Sequence, residues 1–362
     1  MKTTSGKKRG SLDRRQGMPT DHAFNIAAKL PADSKRSSWF GYECCDFIFE
    51  GRGAKVIKPM TANARHSWAW RAEFFGHEPQ ADLALLENGF HIVFMDVCGL
   101  NGSPQAMDIW DKFYLLMTKA GLEKKSTMIG MSRGGLYSYN WAIRHPDRVA
   151  CIYGDNPVID ICSWPGGLGK GKGDDATWEQ VLKQYGLTKS AVKKWKGGPL
   201  DNLKPLVKEK IALLHIVGDA DAVVPVSENT GPLEQRVHEL GGEITVIHKP
   251  RCGHHPHSLP DPRPITEFIL KAYGLRPMSN DIPAVGAGAA SDSALSIVGR
   301  YRAEFTAPPK RIPTDRSVDA PLLGNGDTLV ALGGGPEKLQ FYINKNDLWV
   351  RCLNSAIICR SM

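Results

Sequence analysis

The stretch Ser126-Thr127-Met128-Ile129-Gly130-Met131-Ser132-Arg133-Gly134-Gly135-Leu136-Tyr137 sets a strand, a glycine-flanked serine and a helix in direct succession. Its first four residues form a short run of strand character, and Gly135–Ile143 reads as a helix. Between them Gly130–Gly134 fits the pattern G-x-S-x-G. Glycines on either side let the backbone double back without a Cβ clash, so a strained Ser132 projects its hydroxyl from the sheet edge. The helix start behind it offers unpaired N–H groups and a positive dipole end to a developing oxyanion. Such pentapeptides also arise in ordinary Gly/Ser loops. The flanking strand and helix give this one its weight.

Outward from this turn, residues 40–275 alternate apolar strands with amphipathic helices. Strands are expected at Cys45–Glu50, Ala54–Lys58, His91–Asp96, Thr127–Met131, Val149–Gly154, Ile211–Gly218 and Ile244–Lys249. Helices are expected at Gln80–Glu87, Gln105–Lys119, Gly135–His145, Glu228–Leu240 and Ile265–Tyr273. The pattern predicts an α/β fold with a doubly wound, mostly parallel sheet covered by helices on both faces. Residues 160–205 interrupt it with the Gly/Lys run Trp164–Gly173 and a polar helical stretch around Trp178–Tyr185. An insertion at this point is expected to form a lid over the active edge, the plainer alternative being an inert surface excursion. No G-x-x-x-x-G-K-[ST] occurs in it, so it is not a phosphate loop.

The chain has 362 residues, 42% hydrophobic and 23% charged, enough for one large domain with appendages or for two. Residues 1–36 hold nine lysines and arginines against three aspartates, six of the eight excess positive charges. They read as a solvated, disordered basic tail; no aromatic residue interleaves the basic ones in the first twenty positions, which argues against a nucleic-acid platform. The hydrolytic domain is placed at 37–275, a Gly/Ala/Ser-rich linker at 276–315, and the truncated start of a β-rich second domain at 316–362. Eight cysteines show no C-x-x-C pair and no regular spacing, which disfavours a disulfide scaffold. No leader or membrane span is visible, so an intracellular location is expected, or secretion if the start site is misplaced.

A serine hydroxyl becomes a nucleophile only with an imidazole base and a group that orients it. Leu214–Pro225 is a strand that runs into a turn with two carboxylates, Asp219 and Asp221. Cys252-Gly253-His254-His255-Pro256-His257 follows the last strand. Asp221 is the expected acid, with Asp155 and Asp160 as alternatives, although a turn aspartate is more often a cap. His254 is the expected base, with His255 and His257 open. A His-rich tract also binds metals, but no matching cysteine or carboxylate spacing accompanies this one, so no metal and no cofactor are expected. One oxyanion donor is assigned to the N–H of Arg133. The second is assigned to Trp68, or else Ala69, in a loop read at His66–Arg71. Trp70, Arg71, Trp164 and His257 are candidate substrate contacts, with core packing of the Trp68/Trp70 pair an equal alternative.

Gly130–Gly134, Gly218–Pro225 and Gly253-His254 stand in the order and places of the α/β-hydrolase superfamily, which the chain resembles over residues 40–275. Within it the sequence is similar to prolyl-oligopeptidase-like serine hydrolases and to carbohydrate esterases. Ser132-Arg133 resembles the glucuronoyl esterase motif, and residues 320–326 with 344–349 resemble the start of an α-L-fucosidase-type glycoside hydrolase whose catalytic region is absent. The resemblance implies a serine esterase acting on an acyl or methyl ester of a carbohydrate; the charge pattern and the lack of an apolar span disfavour a nucleic-acid or membrane partner. The alternatives are a serine peptidase, against which stands the lack of any visible propeller repeat, and a non-catalytic glycan-binding module.

Overall fold

The computed structural model describes residues 20–276 and the strand segments 322–324, 328–335 and 338–345. Nine strands build the main sheet: β1 (Lys35–Trp39), β2 (Tyr42–Phe49), β3 (Arg52–Ile57), β4 (Trp68–Arg71), β5 (His91–Met95), β6 (Ser126–Met131), β7 (Val149–Asp155), β8 (Ala212–Gly218) and β9 (Thr245–Lys249). Their spatial order is β9-β8-β7-β6-β4-β5-β3-β2-β1. The pairs from β9 to β5 are parallel, and those linking β5, β3, β2 and β1 are antiparallel. The doubly wound, mostly parallel sheet read from the sequence is present.

Both faces are covered. Helices α2 (Pro104–Lys119), α3 (Gly134–Arg144) and α6 (Thr230–Glu239) bury Trp110, Phe113, Tyr137, Trp141 and Leu233 in the cluster that contains Trp68 and Trp70. On the opposite face α1 (Gln80–Glu87) and α7 (Arg263–Ala272) pack Leu85, Leu86, Ile265 and Ile269 around Ala69, Ile92 and Ile216. No helix among the described residues is long and apolar enough to cross a membrane.

The sequence reading departs from this architecture in two places. Trp68–Arg71 is a central strand between β6 and β5, not a loop; four residues are too few to show an alternation. Within the tail expected over 1–36, Thr20–Asp21 pairs with Ala62–Asn63, Phe24 stacks on His66 and Ile26 is buried; residues 1–19 lie outside the described residues. The 160–205 insertion, as expected, interrupts the alternation; it holds α4 (Asp175–Tyr185) and runs into α5 (Lys204–Lys208), and its Ile161, Trp178 and Val181 pack in a separate apolar cluster against Leu136 of α3 and Val158. Its Gly/Lys loop wraps the Glu228 carboxylate, which accepts from the N–H groups of Lys170 and Gly171 and from the Ser163 hydroxyl.

A second compact unit spans Asp281–Met362. Its described part is an antiparallel meander of β10 (Leu322–Gly324), β11 (Thr328–Gly335) and β12 (Lys338–Lys345). The linker expected before residue 316 lies almost wholly outside the described residues.

Candidate functional site

Strand register brings the predicted residues to one rim. Arg71 pairs with Ile129, Met131 with Asp155, Asp155 with Ile216 and Gly218 with Lys249, so β4, β6, β7, β8 and β9 end together. The loops that follow carry residues 72–77, Ser132, Asn156, Asp221 and His254. In such sheets this carboxyl edge is where ligands bind.

Ser132 sits at φ 49°, a left-handed conformation that costs a non-glycine residue energy. Three backbone bonds hold it there: its N–H donates to Asp155 O at 2.8 Å, and its carbonyl accepts from Gly135 (2.9 Å) and Val158 (2.8 Å). The space beneath is taken up by neighbouring backbone and side-chain atoms. A Cβ on Gly135 would lie 2.6 Å from Val158 O, and one on Gly130 would lie 2.8 Å from Ser138 Oγ.

His254 Nε2 lies 3.0 Å from Ser132 Oγ, and its Nδ1 lies 2.7 Å from Asp221 Oδ2. A carboxylate accepts only, so the proton resides on Nδ1 and the Nε2 lone pair faces the serine hydroxyl. The Asp221 side chain is fully buried and that of His254 is 11% exposed. Asp221 Oδ1 accepts from the N–H groups of Val223 and Val224, both at 2.8 Å. Asn156 ties the acid turn to the base loop, donating to His254 O at 2.9 Å and accepting from Gly218 N–H at 2.7 Å. The sequence reading had not singled out Asn156; it becomes visible only once β7 is seen to end beside both loops.

The alternative acids are engaged elsewhere. Asp155 accepts from His257 Nδ1 at 3.1 Å, from Tyr153 Oη at 2.9 Å and from the Ser258 N–H. Burial would push its carboxyl up, but the His257 hydrogen bond and charge hold it below the ordinary range. Asp160 accepts from its own turn at Cys162. His257 is buried against Asp155, so it is not the imidazole beside Ser132. His255 is exposed.

Trp68 and Trp70 are fully buried, and Trp70 packs against Trp110 with ring centres 4.4 Å apart. Neither lines the rim, so Trp68 supplies no oxyanion donor and Trp70 no sugar platform. Their place in a central strand points them into the core instead. Arg71 is likewise buried and pairs with Asp82 at 2.7 Å. Its other nitrogen reaches the carbonyls of Phe74 and His77, so it clamps the loop after β4. That loop brings the Glu73 N–H within 3.6 Å of where a Cβ on Gly134 would stand. Among the described residues no intrachain acceptor takes the N–H of Arg133, Glu73 or Phe74. Trp164 is half-buried at the edge of the insertion's cluster.

Arg133 pairs with the buried Glu73 and lies over the Phe74 ring, its cation 5.1 Å from the ring centre. Burial pushes the Glu73 carboxyl up against the opposing pull of the Arg133 guanidinium. Glu73 was not anticipated, because its place beside the elbow follows from β4 being a strand.

A family model described as alpha/beta hydrolase fold matches residues 67–205. Among solved structures, a puromycin-hydrolyzing peptidase of Mycobacterium tuberculosis is 11% identical, with 67% of this chain and 40% of that chain covered and a TM-score of 0.50. An S-formylglutathione hydrolase from Agrobacterium tumefaciens is 15% identical, with 66% of this chain and 96% of that chain covered and a TM-score of 0.44. A puromycin hydrolase is 13% identical over 67% of this chain and 40% of its own, at a TM-score of 0.49. The chain thus spans about 40% of the length of the two puromycin-cleaving proteins. No curated protein matches. By sheet order and by that family match alike, the fold of this chain is the alpha/beta hydrolase fold.

Proposed function

We propose that the chain is a serine hydrolase that cleaves an ester, an acyl or methyl ester of a carbohydrate, through an acyl-enzyme. The observation that carries the reading is the run of contacts from Ser132 Oγ through His254 to Asp221, at 3.0 and 2.7 Å. His254 takes the Ser132 proton as the oxygen attacks the ester carbonyl, and then returns it to the leaving alcohol. Asp221 steadies the imidazolium. The N–H of Arg133 and one from Glu73–Phe74 face the developing oxyanion. His254 next activates water, which releases the acid and frees Ser132.

The ester preference rests on the sequence resemblance to carbohydrate esterases. Of the four candidates for substrate contact, Trp70, Arg71 and His257 are buried, which leaves Trp164, and the partly exposed Arg133 side chain beside Ser132 joins it. A peptidase is the second reading, suggested by the puromycin-hydrolyzing peptidase of similar fold.

Ser132→Ala should lower turnover of p-nitrophenyl acetate by at least ~1,000-fold and abolish fluorophosphonate labelling. Asp221→Asn, which leaves the wrong tautomer facing Ser132, should cost kcat ~10,000-fold, the loss known for the equivalent change in a serine protease. Undiminished turnover in the Ser132 variant would remove the assignment. Acetylated and methyl-esterified oligosaccharides, assayed beside short peptide amides, separate esterase from peptidase.

A further inference from the structure

We propose that His254, His255 and His257 form a binding site for one zinc ion, and that its occupation silences Ser132. One ring nitrogen from each histidine lies within 4.8 Å of those of the other two. The ring centres are 5.1, 4.8 and 4.7 Å apart and the planes cross at 80–89°. Three imidazoles on a tetrahedral ion at Zn–N distances of about 2.0–2.1 Å place their ring centres about 5 Å apart. The ring centres already stand at that spacing, and side-chain rotations would bring the nitrogens, now up to 4.8 Å apart, to the ~3.4 Å separation of a tetrahedral zinc site.

Second partners strengthen the case. His254 and His257 both present Nδ1 to a buried carboxylate, that of Asp221 and of Asp155. This carboxylate–histidine arrangement fixes the tautomer, orients the ring and raises the basicity of the remaining nitrogen toward a metal. His255 is exposed, and among the described residues neither of its ring nitrogens has a hydrogen-bond partner. His77, on the loop clamped by Arg71, has its ring 6.0 Å from those of His255 and His257, near enough for a fourth ligand after rotation or for a water-bridged one. Neutral imidazoles suit zinc, copper or nickel and discriminate against magnesium and calcium, which prefer oxygen.

The sequence expectation of no metal rested on spacing. No matching cysteine or carboxylate interval accompanies the three histidines in the sequence, and their suitability arises from Asp155 at the end of β7 and Asp221 in the turn after β8. The silencing rests on the serine-hydrolase reading. His254 Nε2 has one lone pair, which either accepts the Ser132 hydroxyl or binds the ion. No proton need leave, because the Nδ1 proton stays with Asp221.

Zinc titrations against a chromogenic chelator, on the full reduced chain, test the site without turnover. The unaltered chain and Ser132→Ala should each take up one tight equivalent. His255→Ala, a surface change, and His257→Asn should each weaken it by at least ~10-fold. Zinc should protect Ser132 of the unaltered chain from a fluorophosphonate, and EDTA should restore labelling. Unchanged affinity in both histidine variants, as expected if zinc sits on thiols such as Cys98 or Cys252, overturns the site. Tight binding at the histidines with undiminished labelling overturns the silencing. Absent labelling in the metal-free chain overturns the serine-hydrolase reading instead, while the chelator titration still judges the site.

Discussion

Asp221 divides its carboxylate between two duties: Oδ1 closes its own turn through Val223 and Val224, and Oδ2 holds His254. A turn cap and an orienting acid are thus one residue, and the cap makes the acid rigid. Arg71 is the other residue whose role the fold redefines. It was expected to face substrate, and instead it spans Asp82 and the carbonyls of Phe74 and His77. A lysine ammonium lacks the planar fork to reach all three. Arg71→Lys should therefore loosen the loop after β4 and lower kcat on a p-nitrophenyl ester ~10- to 100-fold, with KM nearly unchanged. A rise in KM at constant kcat would make it a binding residue rather than a positioning one.

At the scale of elements, the elbow between β6 and α3 depends on close backbone approach. A Cβ on Gly135 would meet Val158 O at 2.6 Å and Pro157 Cβ at 2.7 Å, and the same segment ties Ser132 O to the Val158 N–H. Gly135→Ala should cost about 1–3 kcal/mol of overpacking, seen as a fall of several degrees in Tm. Gly53→Ala, with nothing within 4 Å, is the matched control and should leave Tm nearly unchanged. Equal effects of the two would mean that the elbow tolerates the methyl group. β4 shows why short central strands escape pattern reading. Trp68 and Trp70 face one helix layer while Ala69 and Arg71 face the other, so every residue is buried and no polar alternation remains.

Across the whole molecule, two histidines lie in the sheet away from the rim. His91 on β5 and His215 on β8 are fully buried, and burial pushes each down to about 3. The unfolded chain takes up protons at these histidines near pH 6.5, whereas the folded chain does not until far lower. Their contribution to stability is therefore complete above about pH 6.5 and is lost progressively as pH falls toward 3. At pH 5 the loss is about 2 kcal/mol for each. Tm should fall between pH 7 and pH 5, and His91→Leu should remove about one proton from that slope. An unchanged slope in the variant would show that His91 titrates normally in the folded chain.

Strand–helix alternation, the glycine-flanked turn at Ser132 and the loop positions of Asp221 and His254 are legible in the chain itself. They depend on local periodicity and on where each strand stops, and both are written in consecutive residues. Which nitrogen meets which oxygen is not local. The separation of Asp155 with His257 from Asp221 with His254 depends on the register of β7 beside β8. So do the Asn156 bridge and the Arg71 clamp depend on neighbouring strands. The burial of Trp68 and Trp70 depends on a strand of four residues finding two partners. Tertiary structure alone decided these, because hydrogen bonds and close packing are set by distances between segments that the order of residues leaves open.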